Sequence, residues 1–257
     1  MQPASAPSAW PTHWVFLRGL SREQRHWGNF PERCTTELGW QITHLDLPGF
    51  GDQHRRLSPR TMSAIAADLA ARMPWPDPEI PIGILGLSLG AMAALKWVDL
   101  QPQRIAALVL INGSAADCPL HWRLQPGALP PMLSALGRRS IKQQERAILN
   151  LVSNRPSAIE AALSDWVQIR QQARLQKRNV FRQLLAASTA RSPSAAAMAG
   201  IGKALVLSSR GDRMVSWRCS EKLASEYQWP LTLHPDAGHD LPLDDPEWII
   251  RQLVAQA

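Results

Sequence analysis

Residues 82–98 read IGILGLSLGAMAALKWV, and the fold is decided there. The stretch opens as a short apolar run, Ile82–Leu87, of the kind that forms a strand buried on both faces. It continues as a helical run over 89–100. At the junction stands Gly86-Leu87-Ser88-Leu89-Gly90, a G-x-S-x-G pattern. A serine on a sharp strand-to-helix turn holds its hydroxyl exposed at the sheet's edge. The flanking glycines make room where the chain packs tightly against itself. The helix N-terminus behind the serine presents free N–H groups that favour negative charge. An acyl-transfer nucleophile requires all three features, whereas a tight structural turn requires only the glycines.

Outward from this junction, strand and helix signals alternate. Strands are expected at His13–Arg18, Gln41–Leu47, Ile105–Ile111, Ala204–Ser208 and Leu231–His234, each short, apolar or alternating, and bounded by turn residues. Helices are expected late in 22–38 (closed by Gly39), over 61–73 with Thr61 as N-cap, over 216–226 and over 246–256. Residues 114–195 break the rhythm. They hold no convincing strand and read as helices at roughly 131–152, broken near Ser140, then 157–172 and 176–190. The fold class is therefore α/β: a mostly parallel sheet of about six strands flanked by helices, interrupted by a helical insertion. The expected division is a core of 13–113 plus 196–257, a cap of 114–195 and a loose Pro/Ala/Ser-rich stretch over 1–12.

A serine hydroxyl is a weak nucleophile until a base takes its proton. That base is expected to be a histidine oriented by a carboxylate, in the chain order serine, acid, histidine. Asp212, in SSRGDRMV, follows one expected strand, and His239, in DAGHDLPLDDP, follows the next. Both leave the sheet at the same edge as Ser88. Asp117, after the strand Ile105–Ile111, is an alternative acid.

With these residues in view, the sequence resembles the α/β-hydrolase superfamily over most of its length. The resemblance rests on FLRGL at 16–20, DLPGFG at 46–51, GLSLG at 86–90, and the GD and GH pairs at 211–212 and 238–239. It implies a serine hydrolase that forms an acyl-enzyme, with an oxyanion hole built from the amides of Leu89 and Leu20. The family usually has His-Gly where this chain has Arg18-Gly19, and its two antiparallel N-terminal strands are not expected in this sequence, where about twelve residues precede the first strand. Within the superfamily the chain looks closest to the pimeloyl-acyl carrier protein methyl ester esterases of biotin synthesis. That likeness implies a carrier-linked methyl ester as substrate and basic cap residues that hold the carrier.

Several residues have two readings. Trp27, in RHWGNF with His26, is a wall of the acyl pocket or part of the core. Trp122, with His121 at the start of the insertion, lines the pocket or packs the cap. Asp52 and His54 read as solvated loop residues, and Cys118 as an inert thiol near the site mouth.

The net charge of +7 is unevenly placed. Residues 114–195 hold twelve Arg and Lys against four Asp and Glu, a net +8, so the rest of the chain sums to −1. Arginine outnumbers lysine in the insertion, and its planar fork suits carboxylate and phosphate. Such a cap draws in an anionic substrate or an acidic partner such as acyl carrier protein, with Arg138, Arg139, Arg174 and Arg178 as the candidate contacts. Solvated helix faces are the plainer reading. Nucleic acid is disfavoured, because no recognition motif accompanies the charge and stacking residues are few. Zinc-protease, P-loop and dinucleotide motifs are missing, so neither metal nor cofactor is expected. Serine at 88 argues against the aspartate-nucleophile epoxide hydrolases and dehalogenases of this fold. Three widely spaced cysteines, no secretory leader and no apolar stretch of membrane-spanning length point to a cytoplasmic protein, monomer or dimer, acting on a small-molecule ester. The rival readings are a thioesterase, lactonase or C–C bond hydrolase on the same residues, or a non-catalytic binding protein that keeps the fold.

Overall fold

The structure is a computed structural model that describes residues 10–256 apart from 78 and 174, and apart from the side chain of Leu136. Six strands form one sheet: β1 His13–Leu17, β2 Gln41–His44, β3 Ile82–Leu87, β4 Ile105–Ile111, β5 Lys203–Ser209 and β6 Leu231–His234. Their order is β2-β1-β3-β4-β5-β6, and every pairing is parallel. Alternation along each strand splits the core in two. Val15, Leu17, Ile84, Leu108 and Leu110 face one layer. Trp14, Phe16, Leu85, Val109 and Ile111 face the other. Helices cover both layers, which is why β3 and β4 read as unbroken apolar runs rather than alternating ones.

Around the sheet lie α1 (Phe30–Leu38), α2 (Met62–Arg72), α3 (Leu89–Leu100), and, after the insertion, α10 (Trp217–Tyr227), α11 (Leu241–Asp244) and α12 (Pro246–Ala255). The end signals behave as expected. Gly39 closes α1 in the left-handed region, and the Thr61 hydroxyl accepts from Ala64 N–H at the start of α2. Between β4 and β5 lie α4 (Leu120–Arg123), α5 (Leu129–Gly137), α6 (Ile141–Val152), α7 (Pro156–Gln172), α8 (Lys177–Thr189) and α9 (Ala195–Met198). Ser140 breaks α5 from α6 by capping the latter through Gln143 N–H. The one-turn helices α4, α9 and α11 are too short for a periodic signal.

Two expectations are corrected. The second strand stops at His44 rather than Leu47. Asp46 turns inward there and accepts from the amides of Gln24 (2.7 Å) and Asp52 (3.0 Å), so the chain leaves the ladder early. The stretch 1–12 is not loose at its end. The Trp10 indole donates to the Leu253 carbonyl at 2.9 Å and meets Trp14 and Trp40 edge-on. Residues 1–9 lie outside the described residues. Among the described residues, no helix is long and apolar enough to cross a membrane.

The sheet places the site. The chain leaves β1 toward β2 on one side and returns to β3 on the other, so a crevice opens between β1 and β3 at their C-terminal ends. Open parallel sheets bind ligands at such switch points. Here the loop 18–22 leaves β1 and Ser88 leaves β3.

Candidate active site

Ser88 adopts φ 57°, ψ −115°, a backbone state that non-glycine residues rarely hold and that costs roughly 1–3 kcal/mol. The turn is held from two sides. Ser88 N–H donates to the Ile111 carbonyl of β4 at 2.8 Å, and α3 begins at once with Leu89. Gly90 is required by packing, since a Cβ there would stand 2.1 Å from the Leu17 carbonyl oxygen. As the first residue of α3, Leu89 has an N–H without an intrahelical partner. Leu20 follows Gly19 in a turn closed by Arg22 N–H on the Gly19 carbonyl, and it lines the same cavity as Ser88.

Asp212 and His239 meet, although 27 residues separate them. Asp212 Oδ2 lies 2.7 Å from His239 Nδ1, and both residues are buried. The other carboxylate oxygen, Oδ1, accepts from the amides of Met214 (2.7 Å) and Val215 (3.0 Å). An ionised carboxylate only accepts, so Nδ1 carries the proton and Nε2 keeps its lone pair. Burial pushes the His239 imidazolium down. The Asp212 charge and hydrogen bond, with Asp240 behind them, outweigh that, and the net direction is upward from the usual 6.5.

Residues that the sequence did not single out hold this pair. Asn112, buried at the end of β4, donates from Nδ2 to the His239 carbonyl (2.8 Å), while its Oδ1 accepts from Ser208 Oγ and Ser209 N–H. Its signal was an Asn before Gly113 at a strand end, where asparagine tolerates the φ of 47° found here. Gly238 lets the histidine loop close on α6, because a Cβ would stand 2.4 Å from the Val152 carbonyl oxygen. Where the family usually places histidine, Arg18 forms a buried bidentate ion pair with Asp240, the residue after His239. Its guanidinium also lies over the Trp27 ring, 4.6 Å from the centroid.

Ser88 and His239 open into one cavity of about 170 Å³. Its outer wall comes from the helices between β4 and β5, through Met132, Ile148, Leu151, Val152, Trp166 and Leu184. The lining is mainly apolar, with Arg18, Arg22, Arg170 and Asp240 as its charged members. Among the described residues, no group of three or more His, Cys, Asp or Glu could hold a metal ion.

The alpha/beta hydrolase family profile matches residues 14–252. The chain belongs to the alpha/beta hydrolase family. No curated protein matches it in sequence. Solved structures of the same fold include a thermophilic esterase from Thermogutta terrifontis (20% identity, 96% of this chain and 90% of that one, TM-score 0.70). An enol-lactonase from Burkholderia xenovorans LB400 is similar (18%, 97% and 92%, TM-score 0.72). So is a meta-cleavage product hydrolase from Pseudomonas fluorescens IP01 (14%, 96% and 91%, TM-score 0.76). At these identities the likeness is one of fold.

In this alpha/beta hydrolase the other candidates fall elsewhere. Trp27 is buried among Phe16 and Phe30 and does not line the cavity; it backs Arg18 instead. Trp122 packs beside Cys118, Val215 and Cys219, also off the cavity wall. Asp117 accepts from the Ser192 amide and hydroxyl and from Lys222 Nζ, so its carboxylate is engaged away from His239. His26, Asp52, His54 and His121 are likewise absent from the cavity lining. The two thiols Cys118 and Cys219 are hydrogen-bonded partners, which holds the first down and pushes the second up. Arg138 and Arg139 are exposed at the turn from α5 to α6. Arg178 lies in an outer groove with Arg60, Arg182, Phe181, Leu184 and Leu185. Arg174 lies outside the described residues.

Proposed function

We propose that this protein is a serine esterase that cleaves a carboxylic ester through an acyl-enzyme. The arrangement that carries the reading is a strained serine at the switch point, opening into the same apolar cavity as a histidine whose Nδ1 is held by a buried carboxylate. In this reading Ser88 Oγ attacks the ester carbonyl while His239 Nε2 takes its proton. Asp212 fixes the tautomer and stabilises the imidazolium that forms. The amides of Leu20 and Leu89 hold the oxyanion; one such donor is typically worth ~10²–10³ in rate. His239 then passes its proton to the leaving alcohol. Water, activated by the same base, attacks the acyl carbonyl and releases the acid, restoring Ser88. A lactonase or thioesterase uses the same steps, and the apolar wall with a single nucleophile favours neither over a simple ester.

The cavity sets the acyl size. About 170 Å³ is close to the cavity volume of roughly 150 Å³ that accommodates benzene, so an acyl chain of about four to six carbons fills it. In a series of p-nitrophenyl esters from acetyl to decanoyl, kcat/KM is expected to peak near butanoyl to hexanoyl. A maximum at decanoyl overturns the assignment of this cavity to the acyl group.

A carrier-linked methyl ester is the finer reading. The observation in its favour is the outer groove on α8, where exposed Phe181 and Leu185 stand among Arg60, Arg178 and Arg182. Leu184 is shared by this groove and the inner cavity. Apolar residues ringed by arginine suit an acidic helix. Charge reversal at Arg178 and Arg182 is then expected to raise KM for acyl carrier protein esters by roughly tenfold more than for free methyl esters. Equal changes for both substrates set the carrier aside.

A further inference from the structure

Among the described residues three guanidiniums face the cavity, and their charges are not equally answered. Arg18 is neutralised by the bidentate pair with Asp240. Arg22 donates from Nη1 to Glu145 Oε2 at 2.8 Å, stacks over Trp166 at 4.3 Å, and approaches His26 Nε2 at 3.1 Å. Arginine cannot accept, and the Glu23 amide also points its N–H at His26 Nδ1 (3.1 Å), so the ring is faced by donors and is neutral. Burial, with Arg22 and Arg18 beside it, holds that imidazole well below the ordinary histidine range. Glu145 is 1% exposed and already committed to Arg22. The third cation, Arg170 on α7, reaches the same carboxylate only at 3.8 Å, through Nε. Among the described residues it donates no hydrogen bond, yet its side chain is only 19% exposed and borders the cavity. Burial pushes this guanidinium down from its ordinary value, and Arg22 adds to that.

A mostly buried guanidinium at a cavity wall, held by its carboxylate only at 3.8 Å, is better satisfied when an anion in the cavity takes its unused donors. Among the described residues, two carboxylates against three arginines leave one positive charge over, which matches one carboxylate and would be overfilled by a phosphate dianion. From this we infer that Arg170, with the remaining donors of Arg22, forms a carboxylate subsite inside the cavity, and that the acyl group carries a free carboxylate. The substrate class is a monoester of a short dicarboxylic acid. The inference rests on the ester-hydrolase reading for the bond that is cut, and it names what sits at the other end. A carrier-linked ester bears an uncharged thioester at that end, so the two substrates are separable.

Two measurements test the subsite. The first compares kcat/KM for mono-p-nitrophenyl adipate and p-nitrophenyl hexanoate, which match in chain length and differ in the terminal carboxylate. Wild type is expected to favour the adipate ester. Arg170→Gln is expected to lower that ratio by roughly 10- to 100-fold, as loss of a charge-assisted pair does, and Arg170→Lys to retain part of it. An unchanged ratio in Arg170→Gln overturns the subsite while leaving the esterase reading intact. Arg22 is not the residue to change, because its loss strands the buried Glu145 carboxylate and threatens the fold. The second measurement is calorimetric titration of monomethyl adipate into Ser88→Ala protein, with and without Arg170→Gln. A dissociation constant raised about tenfold or more by Arg170→Gln supports the subsite even where neither ester is turned over. Equal constants, or no binding to Ser88→Ala, overturn it.

Discussion

Ser88→Ala is expected to lower ester kcat/KM by at least ~10⁴-fold, with Tm within a few degrees of wild type. The two halves of this expectation have separate physical grounds. Alanine keeps the Cβ that packs against Gly19 and loses only Oγ, the atom that attacks in the proposed reaction. The Ser88 side chain does not cap α3, and its backbone N–H keeps the bond to Ile111. The left-handed strain at φ 57° is the same for alanine as for serine. Stability therefore has little to lose, and chemistry has almost everything, because His239 is left with no hydroxyl to activate. The checks are steady-state kinetics on p-nitrophenyl butanoate and thermal unfolding on the same preparations. A variant that keeps a tenth of the activity shows that Ser88 is not the nucleophile. A wild type that neither turns over esters nor is labelled by a fluorophosphonate makes the fold a binding scaffold.

The parts of the site that the sequence disclosed are those fixed by the sheet. Apolar runs bounded by turns marked β3 and β4, and a serine between glycines marked the exit from β3. Asp212 and His239 pair on sequence grounds because both follow strands, and strands of a parallel sheet end at one edge. The electrostatic interior was not legible for the same reason in reverse. Arg18 read as the end of a strand, in the place of the family's usual histidine, and nothing local marked Arg22, Asp240, Glu145 or Arg170 as buried. Their burial depends on partners such as Arg22 and Glu145, which lie 123 residues apart. An amphipathic pattern states which helix face is buried, not what it is buried against. The charge count of residues 114–195 carried the sign of the field. Only the packing of α6 and α7 over the loop after β1 turned part of it inward. Trp27 illustrates the limit. Its two readings, pocket and core, were separated by the ring's place behind Arg18, which nothing local encodes.

Asp212→Asn is expected to cost ~10³–10⁴-fold in kcat/KM at neutral pH, and the geometry says how. Asp212 Oδ1 is held by the amides of Met214 and Val215, so the one carbonyl oxygen of an asparagine stays with those two donors. Its NH2 then replaces Oδ2 beside His239 Nδ1. An amide N–H donates, so the imidazole must offer a lone pair at Nδ1 and carry its proton on Nε2, the nitrogen that the proposed mechanism uses as base. The pH dependence follows from the same contact. In the wild type burial lowers the His239 pKa, but Asp212 more than restores it, so with His239 as the proposed base the acid limb of kcat/KM is expected above pH 6.5. The folded state thus favours the imidazolium. The resulting stability is fully present below pH 6.5 and is lost as pH rises through the raised folded value. Asparagine removes the charge and leaves the burial, so the limb of the residual activity is expected to move to lower pH. The stability term changes sign with it: burial of the imidazole then costs stability in acid and ceases to do so as pH rises. A profile of kcat/KM and Tm from roughly pH 5 to 9 on both proteins reads these shifts together. If Asp212→Asn keeps more than about a tenth of the activity with an unmoved acid limb, another carboxylate orients His239. Asp240 is then the first to examine, because even in its bidentate pair with Arg18 its charge raises the same histidine, whereas Asp117 is engaged by Ser192 and Lys222 and does not.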